Sequence, residues 1–274
     1  VVVNDIGRSK APNYAGQASA EAVAAEIRAA GGKAVADTHS VADDDGAAAI
    51  VQCALDAFGT VDIVVNNAGV SIAAAVDEMT PADFRLHIEV NLLGPYYLAR
   101  AAWPHMKAAG YGRIVNITSG SMAGYANQAA YAASKGGLWS LTRTLATEGA
   151  ALGIKANAVN PGAFTRMVAA TLQADSPLLE YSRDNLPPEL SSPAVAFLAH
   201  ESCPVTGECI ESVGGELLGH YMARTPGIAD REHSIETLAA RWDEIMAGAA
   251  DGLIGLAAHD TSGWKVRPYA GSGV

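Results

Sequence analysis

Ser119, Tyr131 and Lys135 are the residues of this sequence whose types and spacing can do chemistry together. Tyr131 and Lys135 stand four apart, so on a helix the phenol and the ammonium share one face and can point into one cleft. Ser119 follows an apolar run, 114–117, that reads as a strand, and from that strand's carboxyl end it can face them. A hydroxyl, a phenol and a cation converging on one point can move a proton to or from a carbonyl oxygen. Free tyrosine, with a pKa near ~10, is a poor base at neutral pH. A cation within about 4–6 Å favours the phenolate and lowers that pKa by roughly 1–3 units. Lysine supplies the cation and can donate to a sugar hydroxyl, while serine's O–H can hold a substrate oxygen as charge builds on it. Tyr-x-x-x-Lys alone recurs on surface helices; the strand, the serine at its tip and the small-residue turn after it set this instance apart.

Around these groups the pattern supplies elements to hold them. Strands are expected at 1–5, 33–37, 61–65, 114–117 and 154–159, the first of them buried. Unbroken apolar strands separated by helices indicate a parallel sheet covered on both faces. Helices are expected at 18–30, 43–58, 80–107 (bent near Gly94-Pro95), 131–151 and 192–200. Gly31-Gly32 stops the first of them, and Thr80-Pro81 opens the third. Residues 161–190 read as a long irregular connection of the kind used as a substrate lid. A last strand is expected at 208–213 and one more helix at 234–246. No repeat or linker stands out, so a single α/β domain is expected.

Half of the 274 residues are hydrophobic and 17% are charged, enough for a substantial core. The net charge of −11 and the lack of a basic patch argue against nucleic acid as a partner. Cys53, Cys203 and Cys209 lack metal-ligand spacing and fit a reduced, cytoplasmic protein with buried thiols and no metal. No apolar run approaches the ~18 residues needed to span a membrane. No signal segment is recognisable either.

Further candidates cluster at strand ends. At 66–69, Asn-Asn-Ala-Gly can let the backbone approach a flat ligand, with the asparagines holding a turn or a ribose. Asp5, ending the opening strand, can accept from an adenosine ribose and repel a 2′-phosphate, which favours NAD over NADP. Asn91 interrupts an apolar helix segment; it either faces solvent or has its amide buried and paired. Asn160-Pro161-Gly162 reads as a turn able to shape a nicotinamide pocket.

Taken together, NNAG at 66–69, Asn91, Ser119, YAASK at 131–135 and NPG at 160–162, in this order, resemble the short-chain dehydrogenase/reductase family over about residues 1–213. The resemblance implies a doubly wound parallel (Rossmann) sheet with NAD(P) along the strands' carboxyl ends. It makes Tyr131 the acid/base and Lys135 the holder of the nicotinamide ribose, which also lowers the tyrosine pKa. Ser119 orients the substrate oxygen and Asn91 anchors a proton-relay water. Asp5, Ser40, Val41, Asn67, Ala68, Gly69, Pro161 and Gly162 join Tyr131 and Lys135 in binding the cofactor, with Ser40 and Val41 at the adenine. Residues 1–213 then form the NAD-binding domain, and 214–274 a C-terminal extension packed on it.

VVVNDIG, RAAWPHMKAAGYGRI and LAHESCPVTGECIESVGG carry a narrower resemblance. They look like the dehydrogenase unit of peroxisomal multifunctional enzyme type 2 and its stand-alone bacterial relatives. That group oxidises (3R)-hydroxyacyl-CoA esters with NAD, and some bacterial members act on steroid side-chain CoA thioesters. Three features depart from the family pattern. Ser119 lies one residue closer to Tyr131 than expected, which makes Ser121 an alternate for the serine role. Thr165 comes one residue early. The family's first strand and Gly-rich phosphate loop are expected before Val1.

The expected function is therefore NAD-dependent interconversion of a secondary alcohol and a ketone, with an acyl-CoA or steroid-like substrate. A 3-oxoacyl carrier-protein reductase and a hydroxysteroid dehydrogenase are the rival enzymes; a non-catalytic subunit is the rival of another class. Helices 81–107 and 131–151 carry small residues suited to a homodimer or homotetramer. Arg166, Arg224, Lys265 and Arg267 are candidates for CoA phosphates, surface ion pairing being the alternative for each.

Overall fold

The structure is a computed structural model that describes residues 1–7, 20–171, 176–229, 234–247, 254–256 and 266–268. Its centre is β4 (Gly112–Ile117), every residue of which is buried. β3 (Ile63–Asn66) and β5 (Ile154–Gly162) flank it in parallel, in register Val64 to Ile114 and Ala156 to Ile114. β6 (Cys209–Val213) continues the sheet in parallel, and β7 (Glu216–His220) closes it as an antiparallel edge.

Alternation along the strands sends side chains to two apolar layers. On one face Val64, Ile114, Ile154 and Ala156 pack with α2 (Asp44–Phe58), α4 (Gly94–Ala109) and α5 (Ala129–Gly149), through residues such as Ile50, Leu98, Met106 and Leu145. On the other face Val115, Ile117 and Val159 pack with Ala194 and Leu198 of α8 (Ser192–Ala199). This is a Rossmann-like α/β fold with a parallel central sheet, and it leaves the carboxyl ends of β3, β4 and β5 side by side.

β1 (Val2–Asn4) and β2 (Val35–Asp37) form a separate parallel pair, with α1 (Ala20–Ala29) between them in sequence. β1 is half-buried rather than buried as expected. α2 touches both strands and packs on α4, so it ties this pair to the body. Within β3, Ile63 and Val65 are exposed while Val64 between them lies in the core. Beyond β7, β8 (Ala223–Arg224), β9 (Ile254–Leu256) and β10 (Val266–Pro268) make a small antiparallel sheet. No helix among the described residues is long and apolar enough to cross a membrane.

Local signals set many boundaries. Asp43 caps α2 by accepting from Gly46 N, and Gly59, left-handed at φ 77, returns its N–H to Leu55 O. Thr80 accepts from Asp83 N to start α3 (Pro81–Ile88). The expected 80–107 helix is broken, but at a π turn, Glu89–Leu93, rather than at Gly94-Pro95, which opens α4. The described residues of 161–190 are more regular than expected, holding α6 (Arg166–Thr171) and α7 (Pro177–Asn185). The expected 234–246 helix is divided at Arg241 into α9 (Ile235–Ala240) and α10 (Trp242–Met246).

Candidate active site

β4 delivers Thr118 and Ser119 at its carboxyl end, and the first turns of α5 bring Tyr131 and Lys135 over them. Ser119 is the side chain that acts on the Tyr131 phenol, favouring its ionised form. Ser119 Oγ in turn donates to Ser121 Oγ at 3.2 Å and accepts from Ser121 N at 3.2 Å. Of the two serines, Ser119 is the one that acts on the phenol, and Ser121 is hydrogen-bonded to it.

Lys135 is 3% exposed, and its Nζ donates to Ile117 O at 2.6 Å while lying 5.7 Å from the centre of the Tyr131 ring. Burial pushes its pKa from 10.5 down to about 8. Burial also pushes the Tyr131 pKa up, and Ser119 only partly opposes that. The expected lowering of the tyrosine pKa by the cation is thus not the net effect here. The ammonium is turned onto the Ile117 carbonyl, and removal of the phenol from water is the larger influence on Tyr131.

Asn91 resolves the choice posed by its sequence context: it is fully buried and paired. Val70 N–H donates to its Oδ1 at 2.8 Å, while Nδ2 donates to Val70 O at 2.9 Å and to Ser134 Oγ at 3.1 Å. Ser134 Oγ donates onward to Tyr131 O at 2.8 Å. Both amide protons of Asn91 are engaged, so any water it holds is held through oxygen. The π turn is the local rearrangement that seats this side chain, as such turns often do at sites.

Two buried residues escaped the sequence reading. Ser134 links Asn91 to the Tyr131 backbone, and His87, fully buried, accepts from Ile72 N at 3.0 Å through Nε2. The available signal was the spacing of His87 and Asn91, which puts both on one helix face.

The cofactor candidates divide by place. Asn66 is buried and belongs to a polar chain through the core, Nδ2 donating to Asn116 Oδ1 at 2.7 Å and Asn116 Nδ2 to Thr142 Oγ1 at 2.8 Å. Asn67 and Ala68 are exposed, forming an open backbone ridge beside the site. Gly69 is pressed inward, where a Cβ would sit 3.3 Å from Asn91 Oδ1 and 3.8 Å from Lys135 Nζ. A flat ligand can approach this ridge, and a buried ammonium with three donors, one of them on Ile117, suits a sugar diol.

Ser40, whose Oγ accepts from Ala42 N at 3.0 Å, and buried Val41 form the corner before α2. That corner meets α4, since a Cβ on Gly94 would lie 3.0 Å from Val41 O. Asp5 sits apart from the tyrosine, exposed at the end of β1, its Oδ1 accepting from Gly7 N at 2.8 Å. Asn160-Pro161-Gly162 is not the expected turn. Pairing of Asn160 with Glu211 and Gly162 with Val213 extends β5 through all three. Gly162 is required by that close approach, because a Cβ would lie 2.2 Å from Val213 Cγ2. Of the CoA candidates, Arg224 is exposed on β8, Arg166 and Arg267 are described by backbone alone, and Lys265 lies outside the described residues.

Comparison with known proteins agrees with this geometry. Residues 11–176 match the family described as short chain dehydrogenase. A short-chain type dehydrogenase/reductase of Mycobacterium tuberculosis is 42% identical over 253 residues, which span 91% of this chain and 86% of that one. Peroxisomal multifunctional enzyme type 2 of Drosophila melanogaster is 40% identical over 228 residues, 83% of this chain and 37% of that much longer enzyme. Among solved structures, a short chain dehydrogenase from Mycobacterium avium matches with a TM-score of 0.75 at 34% identity, covering 89% of this chain and 85% of that one.

Proposed function

The chain belongs to the short-chain dehydrogenase family, and from that premise we propose that it is an NAD-dependent oxidoreductase interconverting (3R)-3-hydroxyacyl-CoA and 3-oxoacyl-CoA esters. The observation that carries the chemistry is the convergence of Ser119 and the buried Lys135 ammonium on Tyr131, the ammonium 5.7 Å from the centre of its ring. The substrate class rests on the resemblance carried by the opening strand, the 100–114 stretch and the 198–215 stretch. Steroid side-chain CoA esters fall within the same class.

Bound NAD supplies the hydride acceptor at the carbinol carbon. Lys135, Gly69 and the exposed Asn67-Ala68 ridge would hold its nicotinamide end, and the corner at Ser40 and Val41 would meet its adenine. Asp5 reads the adenosine ribose and disfavours a 2′-phosphate, which opposes an NADP-dependent reductase reading. In oxidation the phenol first yields its own proton to solvent, and the Tyr131 phenolate then accepts the substrate hydroxyl proton as general base. The Ser119 hydroxyl, turned from Ser121 Oγ onto the substrate, donates to the same oxygen and keeps it in line with the phenol. With its pKa near 8, Lys135 is mostly protonated at neutral pH and favours the phenolate electrostatically. In the reverse direction the phenol returns the proton to the forming alkoxide. Pairing through α4 and α5, where Tyr96 and Trp103 border a groove with Leu145, would make the enzyme a homodimer or homotetramer.

The test is to supply (3R)- and (3S)-3-hydroxyacyl-CoA esters with NAD or NADP and follow nicotinamide absorbance. Oxidation of the 3R isomer with NAD is expected; turnover confined to the 3S isomer or to NADP would contradict the reading.

A further inference from the structure

His87 has no part in the proton transfer described above, yet it is fully buried within reach of the reacting tyrosine. Its Nδ1 lies 2.7 Å from Asp83 O. A carbonyl only accepts, so Nδ1 carries the proton. Its Nε2 receives the Ile72 N–H at 3.0 Å and must present a lone pair. The ring is therefore neutral, in one tautomer, with both nitrogens used. Its face or edge also meets Tyr131, the two ring centres 6.2 Å apart and the planes at 76°.

The segment that His87 holds has no regular secondary structure between Asn67 and Ala75, so its few hydrogen bonds are what shape it. Asn91 holds Val70 on both sides of its peptide unit, His87 holds Ile72 N, and Asn127 O holds Ala74 N at 2.9 Å. His87 and Asn91 stand one helical turn apart, straddling the π turn's start, and grip the loop at alternate residues.

We infer that His87 is a positioning residue for the reaction: by accepting the Ile72 N–H and abutting the Tyr131 ring, it fixes the spacing between the 70–72 loop and the phenol. An apolar residue in its place would leave the Ile72 N–H without its acceptor in a half-buried site. The inference rests on the proposed role of Tyr131, and its test separates the two. His87→Gln puts an acceptor near the Nε2 position, whereas His87→Asn reaches only the Nδ1 position. Hydrogen exchange of a peptide spanning 70–74 and kcat are measured for both, with thermal melting and NADH Kd as controls.

The Gln variant is expected to keep loop protection and kcat near those of the unaltered chain. The Asn variant should exchange about tenfold faster in this loop and lose about tenfold in kcat with NADH Kd unchanged. Equal protection and equal kcat in the two variants would overturn the proposal, as would loss of loop protection with kcat intact. Nitrogen NMR of the unaltered chain is an independent test: a proton on Nε2 instead of Nδ1 overturns the proposal whatever the variants do. If the unaltered chain oxidises no hydroxyacyl-CoA, the proposed function fails, and the exchange and NMR comparison still decides whether His87 holds the loop.

Discussion

Asn91 and Val70 hold each other twice, Val70 N–H on the amide oxygen at 2.8 Å and the amide N–H on Val70 O at 2.9 Å. One side chain thereby satisfies the backbone of an irregular loop, and through Ser134 it also reaches the Tyr131 carbonyl. Loop, π turn and α5 are joined at this point, where the reacting groups must keep their spacing.

Asn91→Leu keeps the volume and removes those bonds. Each buried polar group left unmade costs about 1–3 kcal/mol, so a loss of roughly 2–4 kcal/mol in stability is expected. Urea denaturation measures it. Turnover at a temperature where the variant remains folded should also fall, because the loop and Tyr131 are no longer tied.

Lys135 contributes a pH dependence of definite sign. Its folded-state pKa is about 8 against an ordinary 10.5. Below about pH 8 both states are protonated and the folded state carries the full penalty of a buried cation. Between the two values the unfolded chain binds more protons, so this residue's contribution makes stability rise with pH. Lys135→Met should therefore raise Tm of the cofactor-free protein at neutral pH while abolishing turnover. The gain should shrink as pH rises above about 8. A Tm that falls on substitution at neutral pH would show that the Ile117 hydrogen bond outweighs desolvation.

The sequence carried the reacting trio because its signals are local: i and i+4 on a helix, and a serine one step beyond a strand. The Rossmann-like order of strands and helices was legible for the same reason. Asn160-Pro161-Gly162 was misread as a turn because its conformation is set by β6, about fifty residues later, and local turn chemistry gives no notice of that pairing. The irregularity expected near Gly94-Pro95 is a π turn at Glu89–Leu93, just before the proline, and it carries Asn91, whose tertiary bonds the sequence does not display. His87 was missed because a histidine in an amphipathic helix reads as one more polar residue until its two partners are seen.

Cofactor choice is predicted to lie with Asp5. It is exposed at a strand end, and its carboxylate is only lightly engaged, accepting from Gly7 N. Asp5→Ser should weaken NADH binding and ease the repulsion of a 2′-phosphate, narrowing the preference for NADH over NADPH by about tenfold or more. Fluorescence titration with both cofactors checks it; an unchanged ratio would remove Asp5 from the site.

Close approach of β5 and β6 makes a coupled pair. Gly162→Ala drives a methyl to within 2.2 Å of Val213 Cγ2 and 2.5 Å of its Cβ, so destabilisation of about 1–3 kcal/mol is expected. Adding Val213→Ala should recover much of that loss, and a double-mutant cycle of the two melting curves measures the coupling.

Tyr131 is the residue on which the proposed reaction depends. The measurement is kcat for (3R)-3-hydroxyacyl-CoA oxidation by the unaltered chain and by Tyr131→Phe, with NADH Kd determined for each. Loss of the proton-transferring oxygen predicts a fall of about 10²–10⁴-fold in kcat with Kd nearly unchanged. Turnover by Tyr131→Phe within a few-fold of the unaltered chain would contradict the mechanism proposed for this site.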